Sequence, residues 1–115
     1  MCDFLGADLE LCSRLLNAAC HTTYSEEDMV EYGRRIWTMT RLFNIKEGFS
    51  KQDDTMPPRI YQDPLPEGPT KGKILAQEAF NKMLSEYYKL WGWDNDGRPT
   101  KETIQELGLT NLSRN

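Results

Sequence analysis

The sequence predicts an all-α fold, and three observations carry that prediction. Apolar residues recur at three- and four-residue spacing in four separate stretches. No stretch of useful length alternates with the period of two that a half-buried strand requires. Each helical stretch is also preceded by a capping residue, followed by a glycine, or both.

The first helix is expected over residues 9–19, capped by Asp8, with Leu9, Cys12, Leu15, Leu16 and Ala19 on one face. Cys20-His21-Thr22-Thr23 reads as a short connection, with His21 as a solvated loop histidine. Ser25 and Asp28 form a capping box with Asp in place of the usual Glu, and a second helix over 26–47 follows, stopped by Gly48. Its apolar positions, Met29, Val30, Gly33, Ile36, Trp37, Thr40, Leu42 and Phe43, define a wide stripe expected to be buried. Gly33 disfavours this helix relative to Ala, which points to close approach by another backbone or a ligand. Residues 49–73 hold five prolines (Pro57, Pro58, Pro64, Pro66 and Pro69) and are expected to form a stiff, extended strap rather than a floppy linker. A third helix over 74–91 presents Leu75, Phe80, Met83, Leu84, Tyr87, Tyr88 and Trp91 before turning at Gly92. Asp94-Asn95-Asp96-Gly97 is a turn by composition. Thr100 caps a short fourth helix over 101–107, which Gly108 ends, and Leu109 and Leu112 tuck in after it.

At 115 residues the chain fits one domain, 1–115. Three Trp, five Tyr and four Phe supply a core and argue against disorder, although the charged share is 28%. A net charge of −4 and a pI near 5.0 disfavour general nucleic-acid binding. No apolar run approaches the roughly 18–20 residues of a membrane span, and no secretory signal is visible, so the cytoplasm is the expected location. Cys2, Cys12 and Cys20 form neither a disulfide framework nor a CxxC motif.

The charged residues admit structural and functional readings. A calcium loop with Gly97 as its sixth position would start at Gly92 and end at Thr103, where carboxylates are required, so that motif fails. Asp53-Asp54 could form an acid–base pair, but adjacent loop residues rarely converge. A cap, or a salt bridge to Arg34, Arg35 or Arg59, is the expected role. Arg34, Arg35 and Arg41 sit on the apolar second helix. They either pair with acids such as Glu31 or Asp53, or meet carboxylates or phosphates of a partner domain.

Two long strings also carry a family resemblance. YGRRIWTMTRLFNIKEGFSKQDDTMPPR resembles the C-terminal part of the tungsten-containing aldehyde:ferredoxin oxidoreductases, which has the form GxRIwnLeRlFNvReGfsrxdDxlPpR. DPLPEGPTKGK and EYYKLWGWDNDGRPTKETIQELGL are similar to that family's strap, last long helix, GW turn and terminal helix, in the same order. Thr40 departs from a common Glu and Trp91 from a common Arg, both in the scaffold.

The resemblance implies a C-terminal, helical part of a larger enzyme. That enzyme would oxidise aldehydes to carboxylic acids at a tungsten or molybdenum bis-pterin centre and pass electrons through a 4Fe-4S cluster to ferredoxin. Cys2-Asp3-Phe4 is similar to the end of the family's DxxGLC segment, which makes Cys2 the implied fourth cluster ligand. Cys12 and Cys20 match nothing in that motif, and no catalytic acid or base carries over. A cluster takes four thiolates, so the chain is expected to be inactive alone and to hold no cofactor by itself. Its implied partners are the remaining domains, ferredoxin and the aldehyde, and a homo-oligomer is compatible with them. The competing expectation is a stand-alone helical interaction module without redox activity, which would have a closed, polar surface. The enzyme part would instead leave apolar and aromatic surface uncovered.

Overall fold

The computed structural model describes residue 6 and residues 8–111. They form α1 (Leu9–Cys20), α2 (Glu26–Lys46), a 3-10 turn (Lys51–Asp53), α3 (Pro58–Gln62), α4 (Gln77–Leu90) and α5 (Lys101–Glu106). Among the described residues there is no strand, only an isolated antiparallel bridge between Trp93 and Pro99. The expected all-α class is borne out.

Local chemistry sets the helix ends. Asp8 accepts the Leu11 N–H at 2.8 Å to begin α1, and His21 ends it in the left-handed conformation with φ 54°. Asn17 then clamps the connection to α2. Its amide oxygen accepts from the Thr22 hydroxyl and the Tyr24 N–H, and its amide nitrogen donates to the Tyr24 carbonyl. Ser25 and Asp28 form the predicted capping box, and the backbone and hydroxyl bonds from Ser25 hold the Asp28 carboxyl below its ordinary pKa.

The strap departs from the extended path expected of it. Ser50 and Asp53 form a second capping box around the 3-10 turn. Pro58 sits at the start of α3, where a missing N–H costs nothing. Beyond α3, Gly68 and Gly72 adopt positive φ and let the chain double back, so that Leu65 donates to the Lys73 carbonyl and accepts from the Gly72 N–H. The Tyr61 ring packs edge-on against Phe80 of α4. Ala76 is still extended, with ψ 133°, and the Leu75 N–H goes to the Ile60 carbonyl, so α4 begins at Gln77 and not at 74.

The buried interior is small and lies at the C-terminal end of the chain. Tyr88, Trp93, Leu107 and Leu109 are its buried apolar members, joined by Thr38, Arg41 and Thr103. The apolar stripe of α2 turns outward instead, against expectation: Ile36, Trp37 and Phe43 are 59%, 47% and 62% exposed. Leu112 lies outside the described residues. The Cα radius of gyration is 18.3 Å and the extents are 52 × 38 × 21 Å. A compact chain of this length would have a radius of about 13 Å. The helices form an open slab, with one polar-centred core and wide uncovered apolar surface.

The turn after α4 tolerates little change. Gly92 has φ 69°, a Cβ there would overlap Thr103 Oγ1, and the Thr103 hydroxyl donates to the Gly92 carbonyl at 2.7 Å. Gly92→Ala is therefore expected to cost about 2 kcal/mol or more in unfolding free energy, combining positive-φ strain with the clash. Adding Thr103→Ala should recover part of that loss in urea titrations, because it removes the overlap and leaves the strain.

Candidate functional site

Arg41 leaves α2 from the side opposite Met39 and runs into the C-terminal core. Its side chain is only 9% exposed, and every direction of its fork is met. Nε donates to the Gly97 carbonyl at 2.8 Å and Nη1 to Asp54 Oδ1 at 2.9 Å, while Nη2 donates to Asp54 Oδ2. The Tyr88 hydroxyl donates to the same Oδ2. The guanidinium also lies 5.8 Å from the Tyr88 ring centre and 5.3 Å from that of Trp93. One cation thus joins α2, the loop after it, α4 and the turn at Gly97.

Burial works against charge on Asp54, yet the bonds from Arg41 and Tyr88 outweigh it and hold the carboxyl below its ordinary value. Burial also opposes the Arg41 charge and is likewise outweighed by Asp54. Burial and the Asp54 bond together push the Tyr88 phenol far above its usual range, so it remains a hydrogen-bond donor at neutral pH. Gly97 completes the arrangement. Its φ is 71° and a Cβ would meet Tyr88 Cζ at 2.7 Å and the Arg41 fork. This is a closed, fully engaged ion pair with no free acid or base.

The acids take the expected roles of cap and ion-pair partner, but with a different arginine. Asp53 and Asp54 diverge: Asp53 caps Ser50, and Asp54 binds Arg41 rather than Arg34, Arg35 or Arg59. Arg41 reaches Asp54, not Glu31 or Asp53, because its position on α2 points it toward α4. Arg34 pairs with Glu106 at 3.1 Å, with side chains 36% and 60% exposed, a contact that adds little to stability. Arg35 is exposed. The Asp94 turn is a turn, as predicted: Asp94 Oδ1 accepts from the Asp96 and Arg98 N–H groups. No sequence motif links Tyr88 to Gly97; Arg41 and Asp54 bring them into one site.

A shallow groove of about 200 Å³ opens between α2 and α4, where Trp37, Thr40, Asn44 and Tyr87 line it together with Arg41 and Asp54 of this centre. The Trp37 indole N–H donates to the Tyr87 hydroxyl across it. Tyr87, Trp91 and Trp93 continue the aromatic wall, with ring centres about 6 Å apart. A second groove of about 650 Å³ follows the strap, lined by Ile60, Leu65, Ile74 and Leu75 with Arg59 and Lys73 at its margin.

Cys2, the implied cluster ligand, lies outside the described residues. Cys12 is half-buried and Cys20 exposed, eight residues apart on α1. That spacing corresponds to about 12 Å of helix rise, too far for one cluster. Among the described residues no three His, Cys, Asp or Glu side chains are grouped to hold a metal. They do not form a cluster cage or a metal site on their own.

Comparison with known proteins places these motifs. The aldehyde ferredoxin oxidoreductase family, through the part described as its domains 2 and 3, matches residues 1–109. A tungsten-containing aldehyde ferredoxin oxidoreductase of Pyrococcus abyssi is 46% identical over 96 residues, covering 83% of this chain and 15% of the relative. That of Pyrococcus horikoshii is 45% identical over 106 residues, covering 91% of this chain and 17% of the relative. An aliphatic sulfonate oxidoreductase, WOR-like subunit, of Pyrococcus furiosus is 35% identical over 94 residues, covering 77% of this chain and 15% of the relative. Among solved structures, the active-site complex of a benzoyl coenzyme A reductase with 1,5-dienoyl-CoA superposes with a TM-score of 0.74 at 28% identity. That match covers 93% of this chain and 15% of the other. The chain therefore spans about 15% of the length of such relatives.

The ion pair makes a signed prediction for acid. Because the folded Asp54 pKa is lowered, its stabilisation is complete above the ordinary value of 3.8 and is lost as pH falls from there through the folded value. Asp54→Asn should lower unfolding free energy at pH 7 by roughly 3 kcal/mol, since it strands a buried guanidinium. It should also flatten the loss of stability below about pH 4 in denaturant titrations run at a series of pH values.

Proposed function

Because this chain belongs to the aldehyde ferredoxin oxidoreductase family, we propose that it is the helical C-terminal part of an enzyme that oxidises aldehydes to carboxylic acids. In that reaction an aldehyde and water give the acid, two protons and two electrons, and ferredoxin receives the electrons. The full enzyme uses a tungsten or molybdenum bis-pterin centre and a 4Fe-4S cluster in the cytoplasm. Cys2 supplies one cluster thiolate. Residues 1–115 act as one helical domain against the remaining domains, part of it walling the substrate channel.

One observation favours a part of a larger enzyme over an independent module: the apolar stripe of α2 faces away from the chain's own core, with Ile36 and Phe43 more than half exposed. A self-sufficient domain covers such a stripe, because leaving it in water forfeits roughly 25 cal/mol for each Å² of apolar area. The competing reading, an independent interaction module, calls for a closed and polar surface. The open slab argues against it. The Arg41 centre has a scaffold role in this proposal: it sets the angle between α2 and α4, and its groups take no part in proton transfer.

The cluster assignment is open to a direct test in the full-length polypeptide. Cys2→Ser is expected to reduce bound iron per protein and to abolish ferredoxin-linked aldehyde oxidation, whereas Cys12→Ser and Cys20→Ser leave both intact. Unchanged iron and activity in Cys2→Ser would defeat the assignment.

A further inference from the structure

The outward side of α2 is left unexplained by the Arg41 centre. At about 100° per residue, Gly33, Ile36, Trp37 and Thr40 share one side of the helix. Thr38 and Arg41 project about 100° round from it, into the chain's own packing, and Arg34 beside them reaches the exposed Glu106. Between Met29 and Phe43 the outward side carries no charged residue. At its middle stands Gly33, the residue that disfavours a helix interior most after proline. Its backbone is ordinary right-handed helix, and nothing lies within 4 Å of the place a Cβ would take. Neither a turn nor a neighbour within the chain explains the glycine.

We propose that this side of α2 is the seat of an apolar backbone segment from the remainder of the same enzyme polypeptide, crossing over Gly33. A missing Cβ lets two backbones approach closely, and Val30, Ile36, Trp37 and Phe43 flank the crossing with apolar contact. The groove between α2 and α4, where Trp37, Thr40 and Tyr87 meet the mutually paired Arg41 and Asp54, borders the same side and receives a side chain of that segment. The occupant is identified by length and charge. The chain spans about 15% of its relatives, so most of such a polypeptide lies outside it. A covalently attached segment acts at an effective concentration in the mM range, which a second copy of the chain does not reach. The uncharged face also excludes an ionic partner. Helix α2 then becomes an internal helix, held to its own chain through Arg41, Thr38 and one edge of Trp37 and to the rest of the enzyme through the face around Gly33.

This inference rests on the proposed membership in a larger polypeptide, and its test reads neither iron nor activity. Ile36→Cys, Phe43→Cys and, as an exposed reference on the same helix, Glu31→Cys are placed in the full-length polypeptide. Each is labelled with a maleimide and followed peptide by peptide by mass spectrometry. Labelling at 36 and 43 is expected to be at least tenfold slower than at 31. Equal rates would overturn the proposal, as would protection that disappears on dilution to a monomer, which would assign the face to a second copy. Gly33→Ala supplies an independent arm. A free helix surface predicts a higher thermal midpoint, and the close crossing predicts a lower one. A raised midpoint therefore also overturns it. Loss of the redox reading through Cys2→Ser would leave all of these outcomes in place.

Discussion

The architecture depends on one buried guanidinium. Arg41 binds Asp54 through both fork nitrogens, takes the Gly97 carbonyl on its third donor, and stacks against Tyr88 and Trp93. Taking a cation out of water is expensive, and the arrangement offsets that only because each partner arrives with good geometry. Asp54 is delivered by the 3-10 turn, whose Lys51 bonds the Asn95 carbonyl at 2.7 Å. Gly97 is delivered by the Asp94 turn, and Tyr88 by α4. A chain with so little apolar interior is held at its centre by a polar network that admits few alternatives.

That network also accounts for the orientation of α2. With Thr38 and Arg41 committed inward, the bulky stripe on the other side has nowhere to go but outward. In an isolated domain this would be a poor use of Ile36, Trp37 and Phe43. It suits a chain that covers about 15% of the length of its relatives. The extended dimensions follow from the same cause, since a slab 21 Å thick is hardly more than two helix layers.

Much of the candidate site could be read in the residue strings, but not its pairing. Asp53 and Asp54 were both visible as acids able to cap or to bind an arginine. Which one did which depended on the path of the loop after Gly48. Tyr88 looked like one aromatic among several on a helical face, and Gly97 like any turn glycine. Their roles arise only where α4, the turn and α2 meet, because Arg41 and Gly97 are brought together across 56 positions of sequence. The stripe of α2 is apolar, as its periodicity says, yet it is exposed. Its assignment to the chain's own core failed because periodicity reports that a face is apolar and not what covers it.

The sequence by itself determined the helical class, the caps at Asp8, Ser25 and Thr100, the stops at Gly48 and Gly108, and the family, since all of these are written in short-range chemistry or in contiguous motifs. Only the tertiary structure decided that the strap folds back instead of running extended, that Arg41 belongs to Asp54, and that α2 turns its polar side inward. Those outcomes depend on long-range geometry. A proline or a glycine restricts one residue's backbone, whereas the direction of a buried side chain is settled by every element that must fit around it.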